Sequence, residues 1–243
     1  MPYPYSGSVY DQIAHGVTDI AFWRELVVRA AGPVLELGVG AGRLALELAP
    51  LAPEYHGLDS EPSMLAETAR KSRERGVRLA LHAGSFLALD ALELGRAFAL
   101  VLLPANTLSH VVTHADAERF FAGVRRHCAA GGCFALDTYN PRPWTRGPDP
   151  YTFGRYRDPA DGGEIVVWST PSYDAARQVA VHALEYRKGE EVVGRQTLEQ
   201  RTYYPAELTA WMRWAGFREV SLFGDYNRGP FRGDSSRLIA VAV

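Results

Sequence analysis

Val34-Leu35-Glu36-Leu37-Gly38-Val39-Gly40-Ala41-Gly42-Arg43 is the stretch whose reading decides the fold. Val34–Leu37 is mostly apolar and reads as a short buried strand. Glycines at alternate positions (Gly38, Gly40, Gly42) then make a tight turn into a helix beginning near Arg43. Glycine there permits positive φ and lets a ligand approach the bare backbone. The helix start adds unpaired N–H groups and a partial positive charge. The stretch predicts a strand, a ligand-binding turn and a helix.

Two details bear on the ligand. A dinucleotide fingerprint needs G-x-G-x-x-G, and Arg43 stands where its last glycine belongs. Glu36 sits at the strand's exit, where a carboxylate repels a pyrophosphate but suits a cationic ammonium. S-adenosylmethionine carries both an ammonium and a sulfonium. Downstream, a second short strand covers 54–58 and ends in Asp59, which lies 21 positions after Gly38. That is close to the spacing at which a second-strand carboxylate accepts hydrogen bonds from ribose hydroxyls. Pro62 suits the first turn of the next helix, which runs to about Arg75 and stops at Gly76.

Val34 through Met64 resembles the cofactor half of a class I S-adenosylmethionine-dependent methyltransferase. Phe98–His110 resembles the family's fourth strand and the loop leaving it, and 131–137 its fifth. Glu207 through Phe217, then Arg237–Val243, resemble the closing helix and terminal strands. The likeness spans about residues 1–150 and 203–243, and the chain looks most like small-molecule methyltransferases with a β insertion after the fifth strand. It implies an α/β, Rossmann-like, doubly wound, mostly parallel seven-stranded sheet with a C-terminal antiparallel strand. The chain then divides into a cofactor-binding domain (1–150 and 204–243) and a small inserted antiparallel β subdomain (151–203).

Composition sets outer bounds. The chain has 243 residues, enough for one α/β domain with a small insertion. A net charge of −2 gives no general attraction to nucleic acid or anionic membrane. The Arg70–Arg75 run reads as a solvated helix face. The N-terminus lacks the basic start and apolar core of a signal peptide, no window reaches membrane-span length, and the default is a cytoplasmic protein. Two cysteines, Cys128 and Cys133, are too few for a disulfide framework or a thiolate zinc site, so no metal is expected.

Along the chain, Val17–Ala31 reads as an amphipathic helix with Ile20, Trp23 and Val27 on one face. Further strands are expected at Val77–His82, Phe98–Leu103 and Cys133–Tyr139. A helix over 44–51 follows the glycine turn, and a capped helix runs from Thr113 to Ala129. The alternation argues for an open parallel sheet with helices on both faces and ligands at the carboxyl ends of its strands. Prolines after Asn140 break the pattern. Strands at Tyr151–Arg157, 164–170, 178–187 and 192–203 then read as a small sheet covering the cofactor cleft, or as a decorative or dimer-forming insertion. The loop Gly224–Ser236 carries Asp225, Tyr226, Arg228 and Arg232 and is placed to approach a substrate.

The resemblance implies roles for particular side chains. Glu36 would orient the methionine ammonium, Gly38 and Gly40 admit the cofactor, and Asp59 grip the ribose diol. Met64 and Phe86 would sandwich adenine, and the carbonyl near Pro104 meet the ammonium. Arg43 either reaches the methionine carboxylate or faces outward. Tyr10 either closes over the cofactor or packs. Ser85 stands where the family commonly has an acid for the adenine amino group, a weaker acceptor.

For the acceptor side, His110, Asn106 and Tyr139 are the catalytic candidates. His110 lies just beyond the fourth strand, and an imidazole suits base work near neutrality. Its other reading is a loop histidine bonded to backbone. His110 and His114 are four apart, but without a third ligand they predict no metal. On the insertion, His182, Glu199, Arg201 and Tyr203 either contact substrate or form a solvated face.

The expected function is in-line methyl transfer from S-adenosylmethionine to nitrogen or oxygen of a small molecule, releasing S-adenosylhomocysteine. The alternatives are a non-catalytic binder or sensor of that cofactor and an NAD(P)-dependent oxidoreductase. Methylation of nucleic acid ranks last, because no Asn-Pro-Pro-Tyr-like run follows the fourth strand.

Overall fold

Val34-Leu35-Glu36-Leu37 forms a strand, β1, with all four residues buried. Such a strand needs cover on both faces, as in a parallel sheet with helices above and below. The computed structural model describes residues 9, 12, 18–142, 144 and 147–243. The chain order after helix α1 (Ile20–Ala30) is β1, α2 (Ala45–Leu48), β2 (Tyr55–Asp59), α3 (Pro62–Arg75), β3 (Ala80–Ala83), β4 (Phe98–Leu103), α4 (His114–His127) and β5 (Cys128–Tyr139). Four strands follow: β6 (Tyr151–Arg157), β7 (Glu164–Asp174), β8 (Val179–Lys188) and β9 (Glu191–Arg201). The chain closes with α5 (Pro205–Trp214), β10 (Val220–Phe223) and β11 (Arg237–Ala242).

The first sheet has seven strands in the order β10-β11-β5-β4-β1-β2-β3. Only β11 runs against its neighbours. Strand order reverses between β1 and β4, where ligands of open α/β sheets bind. One face is sealed by α4 and α5, with Phe120, Phe121, Phe134, Leu208 and Met212 buried there. The rings of Phe120 and Phe121 meet edge to face at 5.1 Å, a preferred aromatic geometry. The other face is sealed by α1 and α2 through Phe22, Trp23, Leu26, Leu44 and Leu48.

The second sheet is antiparallel, in the order β6-β7-β8-β9. Its buried side gathers Tyr156, Ile165, Val167, Leu184, Tyr186 and Leu198 around Val9. Among the described residues, no helix is long and apolar enough to cross a membrane.

Several boundaries differ from the sequence reading. Helix α1 begins at Ile20, and Val17 lies outside the described residues. The helix after the glycine turn has only four α-helical residues before Pro50 turns it into a 3-10 segment, Ala49–Leu51, because proline lacks an N–H. Strand β3 starts at Ala80 rather than Val77. Val77 belongs to the cap of α3: its N–H donates to the Ser72 carbonyl and its own carbonyl accepts from Ser72 Oγ. Helix α4 stops at His127 and β5 starts at Cys128, because Cys128 already pairs with Phe98. A register shift follows between Phe98 and Leu100, and Gly131 takes φ +70°. Strand β7 continues through Pro171 to Asp174, past the last pairing with β6 at Ser169. Strand β10 covers only Val220–Phe223, since the N–H groups of Arg218 and Glu219 bind the Val243 carbonyl.

Candidate active site

The turn after β1 is bonded to β2. The N–H groups of Gly38 and Val39 both donate to the Leu58 carbonyl, at 2.8 and 3.0 Å. Gly38 sits at φ +70°, and a Cβ there would come within 3.0 Å of Thr107 Cγ2 on the turn after β4. Glycine is thus required twice, for the dihedral and for the close approach. Asp59 fastens the middle of the turn: Oδ2 accepts from the Gly40 N–H at 2.8 Å, and Oδ1 accepts from the Glu61 N–H at 2.9 Å. Its lone pairs are partly committed, which fixes the carboxylate beside the glycines.

Glu36 is buried at the end of β1, with Oε2 accepting a 2.7 Å hydrogen bond from Tyr55. Burial pushes its carboxyl up to about 8, against the opposing pull of Tyr55 and of the Arg43 guanidinium. Arg43 does not face outward. It forms a two-bonded pair with Asp19 at 2.7 and 2.8 Å, and Trp23 Nε1 also donates to Asp19 at 3.0 Å. The positive charge of Arg43 is matched by Asp19, and Glu36 and Asp59 add two carboxyl groups to this corner, which suit a cation rather than a pyrophosphate.

Met64 is buried in the first turn of α3. Ser85 Oγ accepts from the Leu87 N–H at 3.2 Å and caps the 3-10 segment Phe86–Ala91. Phe86 is half-buried, with its ring edge-on to Phe120. Tyr10 lies outside the described residues.

The turn after β4 is built differently. Ala105 and Asn106 both take φ +62°, the left-handed region that costs a non-glycine residue about 1–3 kcal/mol where it persists. Asp137, buried at the end of β5, holds them: Oδ1 accepts from the Ala105 N–H at 2.7 Å, and its backbone carbonyl accepts from the Asn106 N–H at 3.2 Å. Burial raises the Asp137 carboxyl, with Arg237, the Ala105 N–H and Tyr226 pulling the other way. The Tyr226 hydroxyl donates to its Oδ2 at 3.1 Å, and Arg237 lies at 3.4 Å. Pro104 is buried, and its carbonyl accepts from Thr107 Oγ1 and the Thr107 N–H.

Asn106 is a fastening rather than a free catalytic amide. Its Oδ1 accepts from Thr138 Oγ1 at 2.6 Å and from the Tyr139 N–H at 3.1 Å, and its Nδ2 donates to Ser109 Oγ at 3.2 Å. Tyr139 is 62% exposed, with the Arg237 guanidinium 4.7 Å from its ring centre. His110 ends the 3-10 segment Thr107–His110, and burial lowers its pKa, so its imidazole is neutral near pH 7. His114 turns away from it to Arg201 and Trp211. Among the described residues, no three His, Cys, Asp or Glu side chains group as metal ligands.

On the second sheet, Gln200 Nε2 donates to Ser109 Oγ at 3.3 Å and ties β9 to the turn after β4. His182 is buried, with Ser169 Oγ 3.1 Å from Nδ1. Arg201 pairs with Glu207 at 2.7 Å and Tyr203 donates to the Val111 carbonyl, and both are buried, whereas Glu199 meets Arg177 in an exposed ion pair on a solvated face. The Gly224–Ser236 loop packs inward: Tyr226 reaches Asp137, and Arg228 lies over Phe22 and Phe223. Sequence reasoning missed Asp19 and Tyr55. Tyr55 is found only from the register, which pairs Glu36 with Gly57 and sets Tyr55 two residues before it on the same face.

Residues 34–132 match the family model described as "Methyltransferase domain". A search of curated proteins by sequence gives no match. Among solved structures, an S-adenosylmethionine-dependent methyltransferase from Clostridium acetobutylicum superposes with a TM-score of 0.77 at 18% identity, over 97% of this chain and 96% of that one. The sugar N-methyltransferase KedS8 from Streptoalloteichus gives 0.72 at 21% identity, over 97% and 92%. The amino pentose methyltransferase CalS10 from Micromonospora echinaspora, solved with S-adenosylmethionine bound, gives 0.69 at 19% identity, over 97% and 94%. Residues 34–132 thus match a methyltransferase domain, and the chain as a whole shares the fold of these S-adenosylmethionine-dependent enzymes.

Proposed function

We propose that the protein transfers a methyl group from S-adenosylmethionine to a nitrogen or oxygen of a small molecule. The observation that carries this reading is the buried Glu36 carboxyl beside the Asp59-fastened glycine turn. Tyr55 occupies Oε2 and leaves Oε1 for a cationic donor. The residues fit the cofactor. Glu36 would hold its ammonium, Asp59 its ribose diol, and Met64 and Phe86 its adenine, with Ser85 Oγ as the available acceptor nearby. When bound, the cofactor supplies an activated methyl on a sulfonium, whose departure leaves a neutral thioether.

The protein's own task is then positioning and exclusion of water. Well-oriented reactants gain up to about 7–11 kcal/mol of barrier from positioning alone. Asn106 and Asp137 fix the turn after β4, and Gln200 joins the second sheet to it. This supports the four-stranded sheet as a cover over the acceptor. His110, neutral near pH 7, accepts a proton from an acceptor that must lose one. The likeness to the sugar N-methyltransferase KedS8 favours an amine over a hydroxyl acceptor.

The experiment is transfer of labelled methyl to a panel of small amines and alcohols. Product with an amine, reduced by about 10²–10⁴-fold in His110→Ala, is the expected result. Tight cofactor binding with no transfer to any acceptor would point instead to a sensing protein.

A further inference from the structure

The Glu36 carboxyl is buried, yet among the described residues its side-chain hydrogen bond comes from Tyr55 at 2.7 Å. Among the described residues, the charged groups that act on it are Arg43, Asp19 and Asp59. Arg43, from the glycine turn, is held on both Asp19 oxygens and still attracts the Glu36 carboxylate. Asp19, before α1, and Asp59, at the end of β2, are both negative and add repulsion. From β4, the residue paired with Glu36 is Leu102, which is buried and apolar. The pull of Arg43 and the Tyr55 hydrogen bond do not offset the cost of burying an ionised carboxyl here.

Resting on the cofactor assignment above, we infer that Glu36 carries a proton in the empty site and releases it to solvent when the cofactor's ammonium docks, with Tyr55 as the positioning residue that holds the carboxylate for that exchange. The balance is simple. The Glu36 O–H bond breaks and its proton leaves to water. The ammonium keeps its three protons and donates hydrogen bonds to the carboxylate, and the Tyr55 O–H bond stays on Oε2. Burial raises the empty-site Glu36 pKa to about 8, which supports this order of events. Tyr55, whose own hydroxyl is pushed up by burial and by Glu36, stays protonated as the donor throughout.

The consequence is a linkage between cofactor affinity and pH. Below the empty-site pKa each docking event releases one proton, so affinity tightens by close to tenfold per pH unit from pH 6 towards 7.5. At pH 7 the release is about 0.9 proton per site. Tyr55 donates to the charged form, so its loss raises the Glu36 pKa further and moves the profile to higher pH.

The test is calorimetric titration of the full chain with S-adenosylhomocysteine, between pH 6 and 7.5, in pairs of buffers of different ionisation enthalpy. 5′-Methylthioadenosine, which shares the nucleoside but lacks the ammonium, is the control ligand. The expected result is proton release near one with S-adenosylhomocysteine and none with the control. Glu36→Gln abolishes the release while keeping control binding, and Tyr55→Phe shifts the pH profile upward by half a unit or more. A purely structural Tyr55 would weaken both ligands equally at every pH, which would overturn its assignment. Binding of S-adenosylhomocysteine without proton release, or equal release with the control, would overturn the inference while leaving the cofactor in place. Failure of S-adenosylhomocysteine to bind at all would instead break the cofactor assignment.

Discussion

Two turns leave the carboxyl edge of the same sheet and reach left-handed backbone by opposite means. After β1, glycines occupy the positive-φ positions, and Asp59 has only to fasten a loop already free to bend. After β4, Ala105 and Asn106 are driven to φ +62° and held by Asp137, Thr138 and the Tyr139 N–H. One turn takes its shape from residue type, the other from a buried network contributed by β5. The first is readable in sequence, whereas the second depends on groups brought to it by β5.

Asp137→Ala is the harshest way to break this contrast. It strands the Ala105 N–H, the Tyr226 hydroxyl and the Arg237 guanidinium in a buried space. Removing one partner of such a network costs about 3–5 kcal/mol, to be read from denaturant unfolding. A loss under about 1 kcal/mol would show that the turn after β4 holds itself.

Glu36→Gln acts in the opposite direction on stability. With the folded-state carboxyl raised to about 8 from 4.5, the folded chain keeps a proton that the unfolded chain releases. The native protein therefore loses stability as pH rises through 4.5 to 8. The neutral variant escapes that loss and is more stable by about 3 kcal/mol at pH 7, with no advantage at pH 4. Thermal unfolding across that range checks the sign, and a variant less stable at pH 7 would contradict it.

Gly38→Ala tests the glycine turn. Positive φ and the 3.0 Å approach of Thr107 together cost about 1–2 kcal/mol. Binding of S-adenosylhomocysteine should fall by tenfold or more, and calorimetry at native-like affinity would exclude this turn as the site. Ala105→Gly is the mirror experiment with the smallest effect. It relieves strain and raises stability by at most about 1 kcal/mol. Its turnover should drop as the turn loosens, and the steady-state rate with the best acceptor shows whether the strain serves function.

Much of the frame was legible because it follows local rules. Val34–Leu37, Phe98–Leu103 and Tyr151–Arg157 lie where hydrophobic patterning put them, and Pro62–Arg75 ends at Gly76 with φ +65° as its composition dictates. The start of β5 was not legible, because pairing of Cys128 with Phe98 is a tertiary event. The same divide runs through the site. Glu36, the glycines and Asp59 converge as their spacing implied. The inward turn of Arg43 to Asp19 and the commitment of Asn106 to Thr138 depend on partners 24 and 32 positions away. Residue type announces that an asparagine can bond, and only the fold decides to what.

We propose the turn after β1 as the site for S-adenosylmethionine. The most direct measurement is calorimetric binding of S-adenosylhomocysteine, with NADH in parallel, to the native chain and to Asp59→Asn. The account predicts roughly micromolar binding of S-adenosylhomocysteine alone, weakened at least about tenfold in the variant by loss of charge at the ribose. Binding of NADH in its place, or S-adenosylhomocysteine binding indifferent to Asp59, would contradict it.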